Sequence, residues 1–266
     1  MEHALTDVRA SALFIVATPL ETMVEYRRAG SGPLILYVCG VEGTGRLFYK
    51  QTADLQRDYT VITYPSRPTP CHTLEDLADD IAWIIRDAGF TRATLVAESF
   101  GGLPALQAAL KYPQLVERMM LANTFPYFLP RRRINLAVAI FSLLPYTIIR
   151  WYRTRPTRSN LFGADIPVSD QQAYHQHTCE VNYLGYLARL RLIKETDLRP
   201  RLAEITTPVL ILAGADDAFL PSVAAAREMA ARLPRARLRI LQGSGHMAYL
   251  GDGRQVRIWL EEFATI

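Results

Sequence analysis

The chain has 266 residues, half of them hydrophobic, and a formal net charge of +4. That supplies one large α/β domain, or one domain carrying an insertion, and excludes a disordered or low-complexity chain. No internal period marks a solenoid or propeller. The start, MEHALTDVRA, has acidic residues and no basic cluster before the apolar stretch at Ser11–Leu20, which reads against a secretory signal. Three scattered cysteines, Cys39, Cys71 and Cys179, read as reduced thiols in a cytoplasmic protein rather than a disulfide frame.

Short apolar runs alternate with helical patterns along the chain. Phe14–Ala17 and Met23–Arg28 read as an antiparallel edge pair. Leu34–Val38 is continuously apolar, as a parallel strand covered on both faces requires. Thr60–Tyr64 follows as a strand, then a helix over Thr73–Gly89, opened by Thr73 and Asp76 in the spacing of a capping box and closed by a glycine. Asp76 reaches less far than the usual glutamate, so a weak box is expected. Ala93–Ala97 reads as a strand running into a helix over Ser99–Tyr112, and Arg118–Ala122 as the next strand. Residues 125–198 carry no strand pattern and read as helices, with loops at Arg155-Pro156-Thr157 and Gly163–Pro167. Val209–Ala213, a helix over Pro221–Leu233, Arg237–Leu241 and a helix over Gln255–Phe263 complete the series. This predicts an α/β fold: a mostly parallel central sheet of about eight strands, helices on both faces, and a helical cap after the sixth strand. Residues 1–124 and 199–266 form the expected core domain. Residues 125–198 form the cap, roofing the strand ends where ligands bind in open α/β sheets.

The strongest motif is Thr94-Leu95-Val96-Ala97-Glu98-Ser99-Phe100-Gly101-Gly102. A strand runs into a small residue, then x-Ser-x-Gly-Gly, then a helix. A serine on so tight a turn needs small residues two before and two after it, and Ala97 and Gly101 meet that need. The helix start behind Ser99 favours the negative charge that develops in acyl transfer. A serine needs a base, and the base an orienting group. Downstream, Val209–Ala213 leads into Gly214-Ala215-Asp216-Asp217, and the last strand leads into Gly243-Ser244-Gly245-His246. All three residues fall in loops after strands, on one edge of the sheet.

Across nearly its whole length the chain resembles the α/β hydrolases, through the elbow, the Gly-x-x-Asp followed by Pro221 and the terminal Gly-His. The resemblance implies Ser99 as nucleophile, His246 as general base and acid, and Asp217 as orienting carboxylate, with Asp216 its nearest rival. It implies an oxyanion hole after Leu34–Val38, where the family usually has His-Gly and this chain has Cys39-Gly40-Val41. The donors are backbone amides, so Val41 N–H and Phe100 N–H are the candidates, and no cofactor is required. The expected reaction is cleavage of a carboxylic ester with a hydrophobic moiety through an acyl-enzyme. Thioester cleavage or acyl transfer by the same triad is the alternative, and a non-catalytic binding or membrane-associated protein on a hydrolase scaffold the second.

Each motif has a plainer reading. Ser-x-Gly occurs in ordinary turns, Asp217 could only cap the helix near Pro221, and His246 could only sit in a glycine-rich turn. Singly these stand; jointly they require a coincidence of order and position. His175, His177 and Cys179 have spacings that do not converge on one helix face, so no metal is expected. Gly40–Gly45 lacks the lysine of a nucleotide-binding loop. Between Arg131 and Arg158 lie seven arginines and no acidic residue, which implies an anionic partner such as a lipid head group, an acyl carrier or nucleic acid. Within this block Ile134–Ile149 is apolar, broken by Pro145 and too short to span a membrane. It either lines an apolar substrate pocket or rests peripherally on an anionic membrane surface. The expected partner is thus a small-molecule ester, with no nucleic acid.

Overall fold

In the computed structural model, which describes residues 12–17, 23–153, 161–164 and 166–264, the apolar runs form strands β1 (Ala12–Ala17), β2 (Met23–Ala29), β3 (Leu34–Val38), β4 (Thr60–Thr63), β5 (Ala93–Glu98), β6 (Val116–Ala122), β7 (Val209–Gly214) and β8 (Ala236–Leu241). They make one eight-stranded sheet in the order β1-β2-β4-β3-β5-β6-β7-β8. Pairings from β4 through β8 are parallel. β1 with β2, and β2 with β4, are antiparallel, giving the expected edge.

Helices α1 (Tyr49–Leu55), α2 (Leu74–Asp87), α3 (Gly102–Lys111), α8 (Ser222–Arg232) and α9 (Gln255–Ala264) cover the sheet, and α4 (Arg131–Leu143), α5 (Tyr146–Arg153), α6 (Val168–Thr178) and α7 (Tyr183–Glu195) follow β6. The period-2 geometry of each strand divides the core. Leu34, Leu36 and Val38 of β3 pack on the side of α2, α3 and α8, whereas Ile35 and Tyr37 face α1 and α9. That two-sided burial is why these strands read as unbroken apolar runs.

The capping box of α2 is complete despite its short carboxylate. Asp76 N–H donates to Thr73 Oγ1 at 3.1 Å, and Thr73 N–H donates to Asp76 Oδ2 at 2.7 Å. Helix α1 is absent from the sequence reading for a physical reason. Its buried positions include Gln51, whose Nε2 donates to Tyr249 O, and Asp54, which accepts from Arg257, so polar residues interrupt its apolar stripe.

β3 leads to β4 on one side, while β5 returns to the other side of β3. The strand order therefore switches between β3 and β5, and a crevice opens at their carboxyl ends. There Val38 pairs with Ala97, and Glu98 with Ala122 of β6. The segment from β6 to β7 is closed at its base by a bridge between Tyr127 and Asp197, and by Leu198 N–H donating to Pro126 O at 2.9 Å. The loop expected at Arg155-Pro156-Thr157 lies outside the described residues, as does Arg158.

Candidate active site

Ser99 follows the last residue of β5 and begins the 3-10 turn Ser99–Gly101 that runs into α3. Its φ is +51°, a left-handed conformation that costs a serine about 1–3 kcal/mol and persists only where the surroundings impose it. The surroundings do so here. A side chain on Gly101 would overlap the carbonyl oxygen of Val38, and one on Gly102 would overlap Thr124 Oγ1. Gly101 therefore lets the turn pack onto β3, and Gly102 lets it pack against Thr124 just past β6. Thr124 Oγ1 also donates to Ser99 O at 2.6 Å. Ser99 itself remains partly exposed.

His246 follows β8 in the loop Gly243-Ser244-Gly245, and its Nε2 lies 3.0 Å from Ser99 Oγ. Its Nδ1 lies 2.8 Å from Oδ2 of Asp217, in the turn after β7. Both side chains are nearly sealed from solvent, 4% exposed for His246 and 1% for Asp217. Asp217 Oδ1 accepts the backbone N–H groups of Phe219 and Leu220 at 2.8 and 2.9 Å, and Oδ2 also accepts the Ser222 hydroxyl. Burial pushes the Asp217 carboxyl up, but the bonds from His246, Ser222 and Leu220 outweigh it and hold it below the usual carboxylate range. A carboxylate so satisfied is fixed in place and charged. Asp216 is exposed, with its N–H bonded to Ser244 O at 3.1 Å. Asp217 is not the cap of α8, whose N-cap position is Pro221; the amides it binds lie in the turn before that helix, and its second oxygen faces the imidazole.

The loop after β3 reaches the same point. A methyl built on Gly40 would lie 3.5 Å from Ser99 Cβ, so Val41 begins beside the serine. Phe100 sits in the first turn of a helix, where amides have no intrahelical acceptor. Phe100 and, through Gly40, Val41 thus both adjoin Ser99. Cys39, where a histidine is usual, is buried, and its thiol donates to Tyr64 O at 3.8 Å. Burial pushes that thiol up.

Two residues that hold the site were not singled out in the sequence. Asn123, just past β6, has φ +47°. Its amide donates to Gly245 O at 3.0 Å and His246 O at 2.7 Å, while its Oδ1 accepts Gly214 N–H at 2.7 Å. One side chain thereby couples the turn bearing Asp217 to the loop bearing His246. Arg189 of α7, 1% exposed, donates to the carbonyls of Val41 at 2.8 Å, Arg67 at 3.2 Å and Glu42 at 3.3 Å. Gly43, with φ +70°, is where its guanidinium lies against the loop, and a side chain there would collide with it. An arginine on the apolar face of α7, among Tyr186, Leu190 and Ile193, was the available signal.

The histidines weighed as metal ligands do other things. The His177 ring packs 5.0 Å from Tyr49, and the His175 ring packs against Tyr174 and Phe162. Among the described residues no three His, Cys, Asp or Glu side chains gather as a metal set, and no helix is long and apolar enough to cross a membrane.

Residues 33–252 match the family described as alpha/beta hydrolase fold, and the chain belongs to that family. A protein of Serratia proteamaculans (strain 568) named "Putative carbamate hydrolase RutD" is 29% identical over 233 residues, covering 83% of this chain and 86% of that one. Among solved structures, a hydrolase from Pseudomonas aeruginosa PA01 superposes with a TM-score of 0.83 at 24% identity, over 97% of this chain and all of that one. The enol-lactonase from Burkholderia xenovorans LB400 superposes at 0.79 and 22% identity, over 95% and 100%. These structural likenesses show the fold.

Proposed function

We propose that the chain is a serine hydrolase of carboxylic esters bearing an apolar group, working through Ser99, His246 and Asp217. The observation that carries this reading is the unbroken relay from Asp217 Oδ2 through both imidazole nitrogens to Ser99 Oγ, at 2.8 and 3.0 Å. His246 Nε2 takes the Ser99 proton as Oγ bonds to the substrate carbonyl carbon. The amides of Val41 and Phe100 hold the resulting oxyanion, each donor being worth about 10²–10³ in rate. Collapse breaks the ester bond, and the imidazolium gives its proton to the leaving alcohol. Water, deprotonated by the same imidazole, then attacks the acyl-enzyme, and Ser99 recovers its proton as the acid departs. Asp217 keeps Nδ1 protonated and stabilises the imidazolium.

Residues 125–198 act as a cap in this reading. Ile134, Val138, Tyr186 and Leu190 share a core with Phe100 and Phe125, which favours a hydrophobic acyl or alcohol part. A second reading comes from the relatives named carbamate hydrolases, since a carbamate carbonyl passes through the same tetrahedral geometry. Nitrophenyl esters of short and long acids, a nitrophenyl carbamate and an acyl-thioester, assayed side by side, separate the readings. Ester preference is expected. Preference for the carbamate or the thioester by orders of magnitude would overturn the ester reading and leave the triad standing.

A further inference from the structure

Helix α4 is apolar on two opposite faces. Ile134 and Val138 are buried, and Phe141 packs partly against the same core. Leu136, Ile140 and Leu143, each two residues further along and so about 200° around the helix, are 61%, 40% and 82% exposed. The inner stripe suffices to seat an amphipathic helix; the outer one lies open. The apolar surface continues through the next turn and α5, where Leu144, Ile148 and Trp151 are 39%, 47% and 56% exposed.

The charge of this segment selects what would cover it. Residues 131–158 hold seven arginines and no acidic residue, and Arg132, Arg133 and Arg150 are exposed. Docking a second copy through the same face would set arginines against arginines, which disfavours a symmetric dimer there. Aliphatic and indole side chains flanked by arginines are what the boundary between acyl chains and anionic head groups accepts. We propose that the outer face of α4 and α5 docks the protein on an anionic lipid bilayer. Docking itself does not depend on the role of Ser99.

The test is co-sedimentation of the full chain with vesicles of phosphatidylcholine alone or mixed with phosphatidylglycerol. Wild type is expected to pellet with the anionic vesicles at low salt and to be released at high salt. Leu143→Glu, at a position too exposed to disturb the fold, should weaken binding at least about 10-fold. Arg132→Gln should weaken it about 5-fold. Ser99→Ala should bind as wild type. Wild type remaining in solution at low salt, equal binding to uncharged vesicles, or unchanged binding by Leu143→Glu would overturn the proposal. So would a wild-type dimer that Leu143→Glu converts to monomer, since the face would then belong to a second copy.

Discussion

Arg189 Nε lies 2.8 Å from the carbonyl oxygen of Val41, so a helix outside the core sheet grips the residue whose own amide is a candidate oxyanion donor. The same guanidinium satisfies the carbonyls of Glu42 and Arg67, so one buried charge holds the loop after β3 at two points and ties it to the segment after β4. Arg189 thus acts as a positioning residue. Arg189→Met keeps most of the volume but strands buried acceptors, each at a cost of about 1–3 kcal/mol. With a nitrophenyl ester as substrate, kcat is expected to fall about 10- to 100-fold with a smaller change in KM, because the lost donor geometry matters most in the transition state. A folded Arg189→Met enzyme with wild-type kcat would remove Arg189 from the account.

Asn123 couples the two loops that carry Asp217 and His246, and its removal should therefore affect stability and turnover together. Asn123→Ala gives up three buried hydrogen bonds and leaves a Cβ in a left-handed conformation. The expected loss is about 2–4 kcal/mol of stability, with kcat down about 10-fold or more. Asn123→Gly relieves the backbone strain but not the lost bonds, so its melting temperature should recover only part of the difference. Full recovery by glycine would make the side-chain bonds irrelevant.

Glu98 is buried directly before Ser99, with the Tyr37 hydroxyl donating to its Oε1. Burial pushes its carboxyl up, and the Tyr37 bond and the nearby His246 pull it back only in part. A group with a raised folded pKa contributes its stability fully below the unfolded value, about 4.3 for glutamate. It loses that contribution as pH climbs through the folded value. Glu98→Gln keeps an acceptor for Tyr37 and removes the titration. Its stability relative to wild type should rise as pH increases above about 4.3, read as melting temperature against pH. A difference that shrinks over that range would contradict the sign.

Asp217 and Asp216 are adjacent in sequence but not in surroundings. The former faces His246 Nδ1 and is held below the usual carboxylate range; the latter is exposed. Asp217→Asn is expected to lower kcat by about 10⁴, and Asp216→Asn to leave it within a few-fold. The reverse ranking in a steady-state assay would exchange their roles.

What the sequence revealed follows from the range over which each signal acts. Ser99, Asp217 and His246 were legible because each sits in a loop directly after a strand, and strand order then brings them to one edge. The elbow was legible because close packing of Gly101 and Gly102 on Val38 and Thr124 tolerates no side chain. Helix α1 was hidden by the buried polar residues Gln51 and Asp54. Asn123 and Arg189 were hidden for another reason. Their partners are backbone groups 91 to 148 residues away, and no local pattern encodes a carbonyl in a distant loop.

The most direct measurement is covalent labelling of the native chain with a fluorophosphonate probe, located by peptide mass spectrometry. The account predicts stoichiometric modification of Ser99, strongly slowed in His246→Ala and absent in Ser99→Ala, whose ester turnover falls by about 10⁶ with the fold intact. A folded wild-type protein that takes no label, or label that persists in Ser99→Ala, would contradict it.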